Sequence, residues 1–329
     1  MRIGDVTIKH GLFLAPMAGF SDRALRRIAK DMGAEYSVTE MISAKAVTFG
    51  DKKTFSLARI REDEGYVGLQ IFGSEPDVMG RAAEILSNTA VPEGYVLPSA
   101  IDINMGCPVA KIYNNGEGSA LMRDPELIYR ITKAVKENTH LPVTVKIRTG
   151  IDANHINAPE CAMAAESAGA ELITVHGRTR IQMYSGDVDR KTIAKVKESV
   201  HIPVIANGDI TSVESACSML NETGADGIAI GRGAVGNPFL FREILAFMNG
   251  EEYRAPTLRE RVDIALWQLR LAIEDKGERV AVPESRKQIA LYLHSFRGAA
   301  ALRSEINKAL TYKEVEAVLL GALADADGQ

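Results

Sequence analysis

The chain has 329 residues, of which 46% are hydrophobic and 25% are charged, and its formal net charge is -4. These values are ordinary for a soluble globular protein with a large core, and they exclude a disordered chain. No segment approaches the roughly 20 consecutive apolar residues of a membrane span, and residues 1–10 lack the apolar centre of a signal peptide. The cysteines at 107, 161 and 217 form no Cys-x-x-Cys pair, which predicts neither a disulfide framework nor a metal site. We therefore expect a cytoplasmic protein without a membrane segment or a metal ion.

Short apolar segments rich in β-branched residues recur through the first 240 residues, and most are followed by a longer segment of helical spacing. This alternation predicts parallel strands joined by crossover helices. Eight such units close into a TIM barrel, a (β/α)8 fold of the α/β class whose active site lies at the carboxyl ends of the strands. The alternative is an open doubly wound sheet, but no Gly-x-Gly-x-x-Gly follows the first strand.

The elements of the predicted barrel can be placed from apolar periodicity, although no helix is assigned between the second and third strands. The predicted strands are Leu12–Ala15, Tyr36–Thr39, Val67–Phe72, Ala100–Asn104, Val143–Ile147, Leu172–Val175, Val204–Ala206 and Gly227–Ile230. The predicted helices are Asp22–Met32, Glu75–Leu86, Pro125–Asn138, Ala158–Ala168, Asp189–Glu198, Val213–Glu222 and Phe239–Phe247.

The pattern changes after residue 250, where a polar segment is followed by helical spacing alone. We expect a barrel domain over residues 1–250 and a small helical bundle over residues 251–329. Residues 254–313 contain 12 Lys and Arg against 7 Asp and Glu, a balance of +5 that suits a polyanion, although a solvated helical surface would also explain it. The predicted helices of this region are Leu258–Lys276, Glu284–Ser295, Ala299–Ala309 and Tyr312–Ala324.

Cys107 lies between Gly106 and Pro108, directly after the fourth predicted strand. A thiol at the carboxyl end of a barrel strand occupies the position where these proteins hold reactive groups. A lone cysteine is also a common small core residue, so the position alone leaves both interpretations open. The neighbouring Asn104 offers an amide, and Gly106 allows a ligand to approach the backbone.

Other predicted strands also end in polar residues or glycines, which should converge because barrel strand ends share one rim. The turns Asn207-Gly208-Asp209 and Gly231-Arg232-Gly233 follow the seventh and eighth strands, where barrels commonly bind a phosphate. Structural turns alone would also explain their glycines. Lys146 ends the fifth strand in an apolar setting, and because a buried ammonium without an anion is costly, this residue predicts an anionic ligand.

Taken together, these motifs resemble those of the tRNA-dihydrouridine synthases of the bacterial type, over nearly the whole chain. The matching segments are Ala15-Pro16-Met17-Ala18-Gly19, Ser21-Asp22, Arg26, Glu40-Met41, Leu69-Gln70-Ile71-Phe72-Gly73, Asp102-Ile103-Asn104-Met105-Gly106-Cys107-Pro108, Gly116-Glu117-Gly118-Ser119-Ala120-Leu121, Val145-Lys146-Ile147-Arg148, Val175-His176-Gly177-Arg178-Thr179-Arg180, Asn207-Gly208-Asp209-Ile210, Gly231-Arg232-Gly233, Arg286-Lys287 and Tyr292-Leu293.

The resemblance implies a barrel that binds FMN and reduces the C5=C6 bond of particular uridines in tRNA, with NADPH, or NADH, as the reductant. Cys107 should then protonate C5 as the general acid, since a thiol with a pKa near 8.5 keeps its proton at neutral pH. Lys146 fits beside the flavin, where a cation stabilises the reduced, anionic ring. The resemblance implies that the cofactor is held by Pro16, Met17, Ala18, Gln70, Lys146, His176, Asn207, Gly208, Asp209, Gly231 and Arg232.

The resemblance also implies a substrate side. Asn104 and Tyr184 match positions that hold the uracil, and Lys111, Arg178 and Arg180 are candidates for contacts with the RNA. A uridine in folded tRNA must leave its stack, and contacts made elsewhere must supply that energy. The basic tail is expected to supply them through RNA phosphate contacts at Arg286, Lys287, Arg297 and Arg303. We expect a monomer.

Three alternatives remain at this point. A flavin barrel acting on a free pyrimidine, such as a dihydroorotate dehydrogenase, shares the cofactor residues but has little use for a basic tail. A flavin-free aldolase or isomerase acting on a sugar phosphate shares the phosphate turns. A non-catalytic RNA-binding module would leave Lys146 and Cys107 without a role.

Overall fold

The computed structural model describes residues 1–293 and 298–327. Eight parallel strands form a closed barrel in chain order, because the first strand pairs with the eighth and Leu14 lies opposite Ile230. The predicted TIM barrel is therefore confirmed. The barrel strands are β1 (Leu12–Leu14), β2 (Tyr36–Val38), β3 (Val67–Phe72), β4 (Ala100–Met105), β5 (Val143–Arg148), β6 (Leu172–His176), β7 (Val204–Asn207) and β8 (Gly227–Ile230). Shorter strands are Arg2–Ile3, Val6–Thr7, Ile42–Ser43, Ile60–Arg61 and Tyr95–Val96.

Helices surround the barrel and continue beyond its last strand. In the barrel they are α1 (Arg23–Asp31), α2 (Ala44–Thr48), α3 (Lys52–Leu57), α4 (Pro76–Asn88), α5 (Ala110–Asn114), α6 (Pro125–Glu137), α7 (Ala158–Ser167), α8 (Arg190–Ser199), α9 (Val213–Thr223) and α10 (Phe239–Asn249). After the barrel they are α11 (Leu258–Lys276), α12 (Glu278–Ile289), α13 (Ala299–Ile306) and α14 (Tyr312–Asp327). Short 3-10 turns span Glu62–Glu64, Gly118–Arg123, Arg232–Ala234 and Ala290–Leu293.

Side-chain capping explains where several of these helices begin. The Asp22 carboxylate accepts from the backbone N–H of Leu25 at 3.1 Å at the start of α1. A carboxylate at this position satisfies an N–H that has no partner within the helix. Asp124, Asp189 and Ser212 cap α6, α8 and α9 in the same way. Local chemistry therefore fixes helix starts close to those that the sequence predicts.

The barrel interior has an apolar lower part and a polar upper part. Phe13, Tyr36 and Leu172 belong to a buried cluster that includes residues of the hairpin Arg2–Thr7, which closes the amino-terminal end. Because successive side chains of a strand point to opposite faces, every second residue enters the interior. Towards the carboxyl ends, Lys146 lies opposite Asn104, and His176 lies opposite Asn207. The residues of the predicted site therefore line one mouth.

The helices after the barrel pack directly against it. Helix α11 contacts α1, and Lys276 Nζ of α11 lies 2.8 Å from Asp22 Oδ2. Buried residues of the tail, such as Leu269 and Tyr292, belong to the same apolar cluster as the barrel helices. None of the helices in the described part of the chain is long and apolar enough to cross a membrane.

One predicted helix of the tail begins at the wrong residue. Helix α12 starts at Glu278 and contains Pro283, whereas the sequence predicts a start at Glu284, after the proline. A proline inside a helix removes one backbone donor, and burial of Ala281, Val282 and Ile289 against the core outweighs that loss. The α-helix ends at Ile289 and is followed by a 3-10 turn over Ala290–Leu293, and the predicted end at Ser295 lies outside the described residues.

Candidate active site

The loop that carries Cys107 is held by hydrogen bonds to its backbone. Asn104 Oδ1 accepts from the N–H of Gly106 at 3.2 Å and of Cys107 at 2.9 Å. The Cys107 carbonyl accepts from Ser119 Oγ at 2.8 Å. Gly118 has φ +60°, and a Cβ there would lie 3.0 Å from Cys107 Cβ, so only glycine fits the turn beneath the thiol. Burial raises the pKa of Cys107, although the Val109 N–H, Arg148 and Lys146 act against it.

Three neighbouring strands connect their polar side chains below this loop. Asn104 Nδ2 donates to Gln70 Oε1 at 2.7 Å, and Gln70 Nε2 donates to Asp102 Oδ2 at 2.7 Å. Thr144 Oγ1 donates to the other oxygen, Asp102 Oδ1, at 2.5 Å. Gln70 is 1% exposed and uses both ends of its amide in this network. Gln70 lies level with Asp102, deeper in the barrel than Asn104 and Lys146. Its contact with the flavin ring remains a prediction.

Lys146 is the ammonium at the centre of the mouth. Its Nζ donates to Asn207 Oδ1 at 3.2 Å, and it forms no ion pair within the described residues. Burial lowers the pKa of Lys146 to about 8, with Arg148 adding to the effect and Asp102 opposing it. Burial and four surrounding cations also hold the pKa of His176 well below its usual value, so this ring is neutral. The mouth therefore contains an ammonium that forms no direct ion pair with any carboxylate of residues 1–293 and 298–327, although the charge of Asp102 acts on it.

Arg148 follows Lys146 by two residues, and sequence reasoning assigns it no role. Its guanidinium donates to the carbonyls of Gly106 at 2.8 Å and Thr179 and Met183 at 2.9 Å. It therefore ties the thiol loop to the loop after β6. That loop carries Tyr184, whose ring is 54% exposed and lies within 6.5 Å of the His176 ring. An arginine at the end of a barrel strand is the sequence signal for a contact at the mouth. The carbonyls to which Arg148 donates depend on the conformation of the loops, which the sequence does not reveal.

The turns after β7 and β8 have a backbone conformation that suits an anion. Gly208 has φ +134°, and Asp209 has φ +49°, a left-handed value that is uncommon outside glycine. Within the described part of the chain, the backbone N–H groups of Gly208, Asp209 and Gly231 donate to no protein acceptor. Consecutive N–H groups in such a conformation make a concave site for an anion. Arg232 is exposed beside them.

The Asp209 side chain faces arginines rather than the open side of this turn. It forms ion pairs with Arg178 and with Arg232, the latter at 2.9 Å. The Arg178 hydrogen bond, above all, holds the pKa of Asp209 below its usual range. Two arginines against one carboxylate leave a net positive charge, so the turn still favours an anion.

Pro16, Met17 and Ala18 form the loop after β1 on the same mouth. Met17 N–H donates to Ser21 Oγ at 2.8 Å, and the Met17 sulfur lies 3.5 Å from the place of a Cβ at Gly231. The following Gly19 N–H donates to Glu40, whose pKa is raised by burial. These contacts bring the loop beside the turn after β8, as the barrel order requires.

The predicted RNA contacts fall into two groups. Lys287 is exposed, and its Nζ lies 3.9 Å from the centre of the Phe20 ring at the barrel mouth. Lys111 is exposed on α5, next to Tyr113, on whose ring Arg180 stacks with its Cζ 3.7 Å from the centroid. Arg303 is partly buried on α13. These side chains remain candidates for RNA.

The other arginines are engaged within the protein or lie outside the described residues. Arg178 is 2% exposed, and its guanidinium donates to Asp209 and to the carbonyls of Ser185 and Gly186. Arg286 donates through Nε to the Ala309 carbonyl at 2.8 Å. Arg297 lies outside the described residues. We propose that Arg178 positions Asp209 and that Arg286 holds α12 to the segment after α13.

A parallel barrel with a thiol, a buried ammonium and turns with backbone N–H groups that are unpaired among the described residues, all on one mouth, is the arrangement of a barrel enzyme whose mouth suits an anionic ligand. A family model described as dihydrouridine synthase matches residues 13–326. The chain therefore belongs to the dihydrouridine synthase family, as its motifs indicate.

Relatives with this family name cover nearly the whole chain. A probable tRNA-dihydrouridine synthase of Rickettsia conorii is 41% identical over 309 residues, which is 93% of this chain and 91% of the relative. The tRNA-dihydrouridine synthase B of Pseudomonas putida is 41% identical over 309 residues, with 93% of this chain and 89% of the relative covered. Histamine dehydrogenase from Rhizobium sp. 4-9 aligns with a TM-score of 0.56 at 13% identity over 88% of this chain and 50% of its own, a likeness of fold alone.

Proposed function

We propose that this protein reduces the C5=C6 bond of uridines in tRNA, with FMN as its cofactor and NADPH, or NADH, as the electron source. The observation that carries the proposal is the ammonium of Lys146, which lies near the turns after β7 and β8 and near the Cys107 thiol and forms no direct ion pair in the described part of the chain. Family membership supports the reaction, and the relatives' names support tRNA as its substrate.

The residues of the mouth fit FMN at both ends. The N–H groups of Gly208, Asp209 and Gly231 suit its phosphate, with Arg232 beside them. Lys146 suits the electron-rich edge of the ring, because a cation there stabilises the negative charge that reduction produces. The loop of Pro16, Met17 and Ala18 can line the ring, and His176, Asn207 and Asn104 surround Lys146. FMN, when bound, supplies the two-electron reduction of the pyrimidine ring.

Cys107 supplies the proton that completes the reaction. Reduction at C6 leaves negative charge on C5 and O4, and the thiol transfers its proton to C5. Because burial raises the pKa of Cys107, the thiol is protonated at neutral pH, as a general acid must be. Exposed Tyr184, in the loop after β6, and buried Asn104, on β4, suit contacts with the uracil.

RNA binding is assigned to side chains on both parts of the chain. Lys287 extends from the tail over Phe20 at the barrel mouth, which places a cation where RNA must approach to deliver a base. Lys111, Arg180 and Arg303 add positive charge. Contacts of such side chains with phosphates position the RNA but do not read its base sequence. We further propose a cytoplasmic monomer with a barrel domain over residues 1–250 and a tRNA-binding helical domain over residues 251–329.

The test compares three substrates on the purified, FMN-loaded protein. The protein is reduced with NADPH under anaerobic conditions and mixed with unmodified tRNA, free uridine or orotate, and its oxidation is followed by flavin absorbance. We expect oxidation by tRNA alone, with dihydrouridine found in the tRNA by mass spectrometry. Oxidation by orotate but not tRNA would instead identify a dihydroorotate-type dehydrogenase, and failure to take up FMN would refute the cofactor assignment.

A further inference from the structure

Asp102 lies in the middle of β4, and its side chain points into the barrel, where the residue is 2% exposed. In register it lies between Gln70 of β3 and Thr144 of β5. Burying a carboxylate is costly unless its oxygens are satisfied. Here Oδ2 accepts from Gln70 and Oδ1 from Thr144, so the cost is partly offset. No step of the proposed reaction uses this carboxylate.

The hydrogen bonds from Asp102 to the thiol loop have one direction only. The N–H of Cys107 can only donate, so Asn104 must present its oxygen to it. The nitrogen of Asn104 then faces Gln70, which must present its oxygen. The nitrogen of Gln70 consequently faces residue 102, which must accept.

A carboxylate meets this requirement, because an ionised carboxylate only accepts. Burial raises the pKa of Asp102, while the hydrogen bonds from Thr144 and Gln70 and the charge of Lys146 act to lower it. An apolar side chain at this position would leave the buried nitrogen of Gln70 without an acceptor. Either amide could then turn over, and a reversed Asn104 would set its NH2 group against the N–H of Cys107. Two donors facing each other in a buried site are strongly unfavourable.

We propose that Asp102 is a positioning residue for Cys107, and that it fixes the thiol loop by orienting the amides of Gln70 and Asn104. This inference rests on the proposed function for its effect on the reaction. Its effect on the loop does not depend on that function, because the amides and the Cys107 backbone are connected without the cofactor.

The test uses Asp102→Leu, Asp102→Asn and a matched control, Thr144→Val, each in the FMN-loaded full chain. Thr144→Val removes a neighbouring buried hydrogen bond to Asp102 but leaves the connection to Cys107 intact. Asparagine can still present its oxygen to Gln70 while its NH2 group donates to the Thr144 hydroxyl. Gln70→Leu breaks the same connection one step closer to the thiol, and it replaces Asp102→Leu should that variant fail to fold.

The first readout is the rate of alkylation of Cys107 by iodoacetamide against pH, measured on the Cys107 peptide by mass spectrometry because Cys161 and Cys217 are also present. We expect Asp102→Leu to react at least about fivefold faster at pH 7 and with a lower pH midpoint, because a loosened loop exposes a thiol whose pKa burial had raised. Thr144→Val should stay within twofold of the parent, and Asp102→Asn should recover most of the protection.

The second readout is single-turnover oxidation of the reduced protein by tRNA, in which Asp102→Leu should lose about tenfold through misplacement of the acid. Alkylation of Asp102→Leu at the parent rate and midpoint would overturn the inference. Equal defects in Asp102→Asn and Asp102→Leu would show that charge matters rather than orientation, and an equal defect in Thr144→Val would show a general packing effect. Either result also overturns it. Failure of the proposed function appears separately, because the reduced parent protein would then not be oxidised by tRNA at all.

Discussion

Replacing Cys107 with alanine is the sharpest test of the reaction. The loop is held through the backbone of Cys107, by Asn104 at its N–H and Ser119 at its carbonyl, and not through the sulfur. The substitution therefore removes the thiol and leaves the hydrogen bonds of the loop in place. We expect Cys107→Ala to keep its FMN, to be reduced by NADPH at the parent rate and to bind tRNA, while forming little dihydrouridine.

The expected magnitude follows from the loss of a single proton donor. General acids contribute about 10² to 10⁴ to a rate, so oxidation of the reduced variant by tRNA should slow by that factor. Cys107→Ser should be nearly as slow, because a hydroxyl is a far weaker acid than a thiol.

The pH dependence of the parent protein gives an independent check. The acid must be protonated to act, and burial raises its pKa above the ordinary value of about 8.5. The single-turnover rate should therefore stay flat through neutral pH, continue flat past about pH 8.5 and fall only above that. Single-turnover oxidation is followed by flavin absorbance at several pH values. A parent-like rate in Cys107→Ala, or a decline that begins below pH 8 and survives the substitution, would refute the assignment of the acid.

Three further substitutions test the cofactor site, the RNA contact and the packing of the tail. Lys146→Met should weaken FMN binding at least about tenfold by fluorescence titration. Because the pKa of Lys146 is about 8 in the folded protein and near 10.4 in the unfolded chain, the unfolding free energy of the cofactor-free parent should rise between these two pH values. Lys146→Met should abolish this rise. Lys287→Ala should lower tRNA affinity and reduce the slope of log K against log salt by about 0.7 to 0.9, whereas the exposed Lys195→Ala should not. Asp22→Asn keeps a capping side chain on α1 but removes the closer of the two carboxylates that pair with Lys276, so urea unfolding should show a loss of about 1–2 kcal/mol. Burial acts to lower the pKa of Lys276, but Asp22 and Glu284 outweigh burial, and the pKa is raised. The loss of stability should therefore be constant from pH 6 to 9 and should diminish only above the pKa of lysine in the unfolded chain, near 10.4.

The periodicity and the motifs of the sequence predict the barrel and the polar residues of its mouth. Strands such as Val143–Arg148 are short and rich in β-branched residues, so their periodicity and flanking turns locate them without tertiary information. The mouth follows from the same information, because parallel strands in a closed barrel place Asn104, Lys146 and His176 on one rim. The reaction, however, came from motifs that resemble a family, since residue spacing alone left an aldolase or a free-pyrimidine dehydrogenase open.

Only the tertiary structure shows which polar groups of the mouth and of the tail form hydrogen bonds with one another. The sequence predicts that Arg178 and Arg286 contact RNA, and only the structure shows that their guanidinium groups also donate to carbonyls within the protein. The proline at position 283 predicts a helix that begins after it, yet α12 continues through Pro283 because its apolar residues are buried against the core. Asp102 acquires its role only because barrel register sets it between Gln70 and Thr144. Hydrogen-bond direction depends on such pairings between distant segments, and local sequence patterns do not encode them.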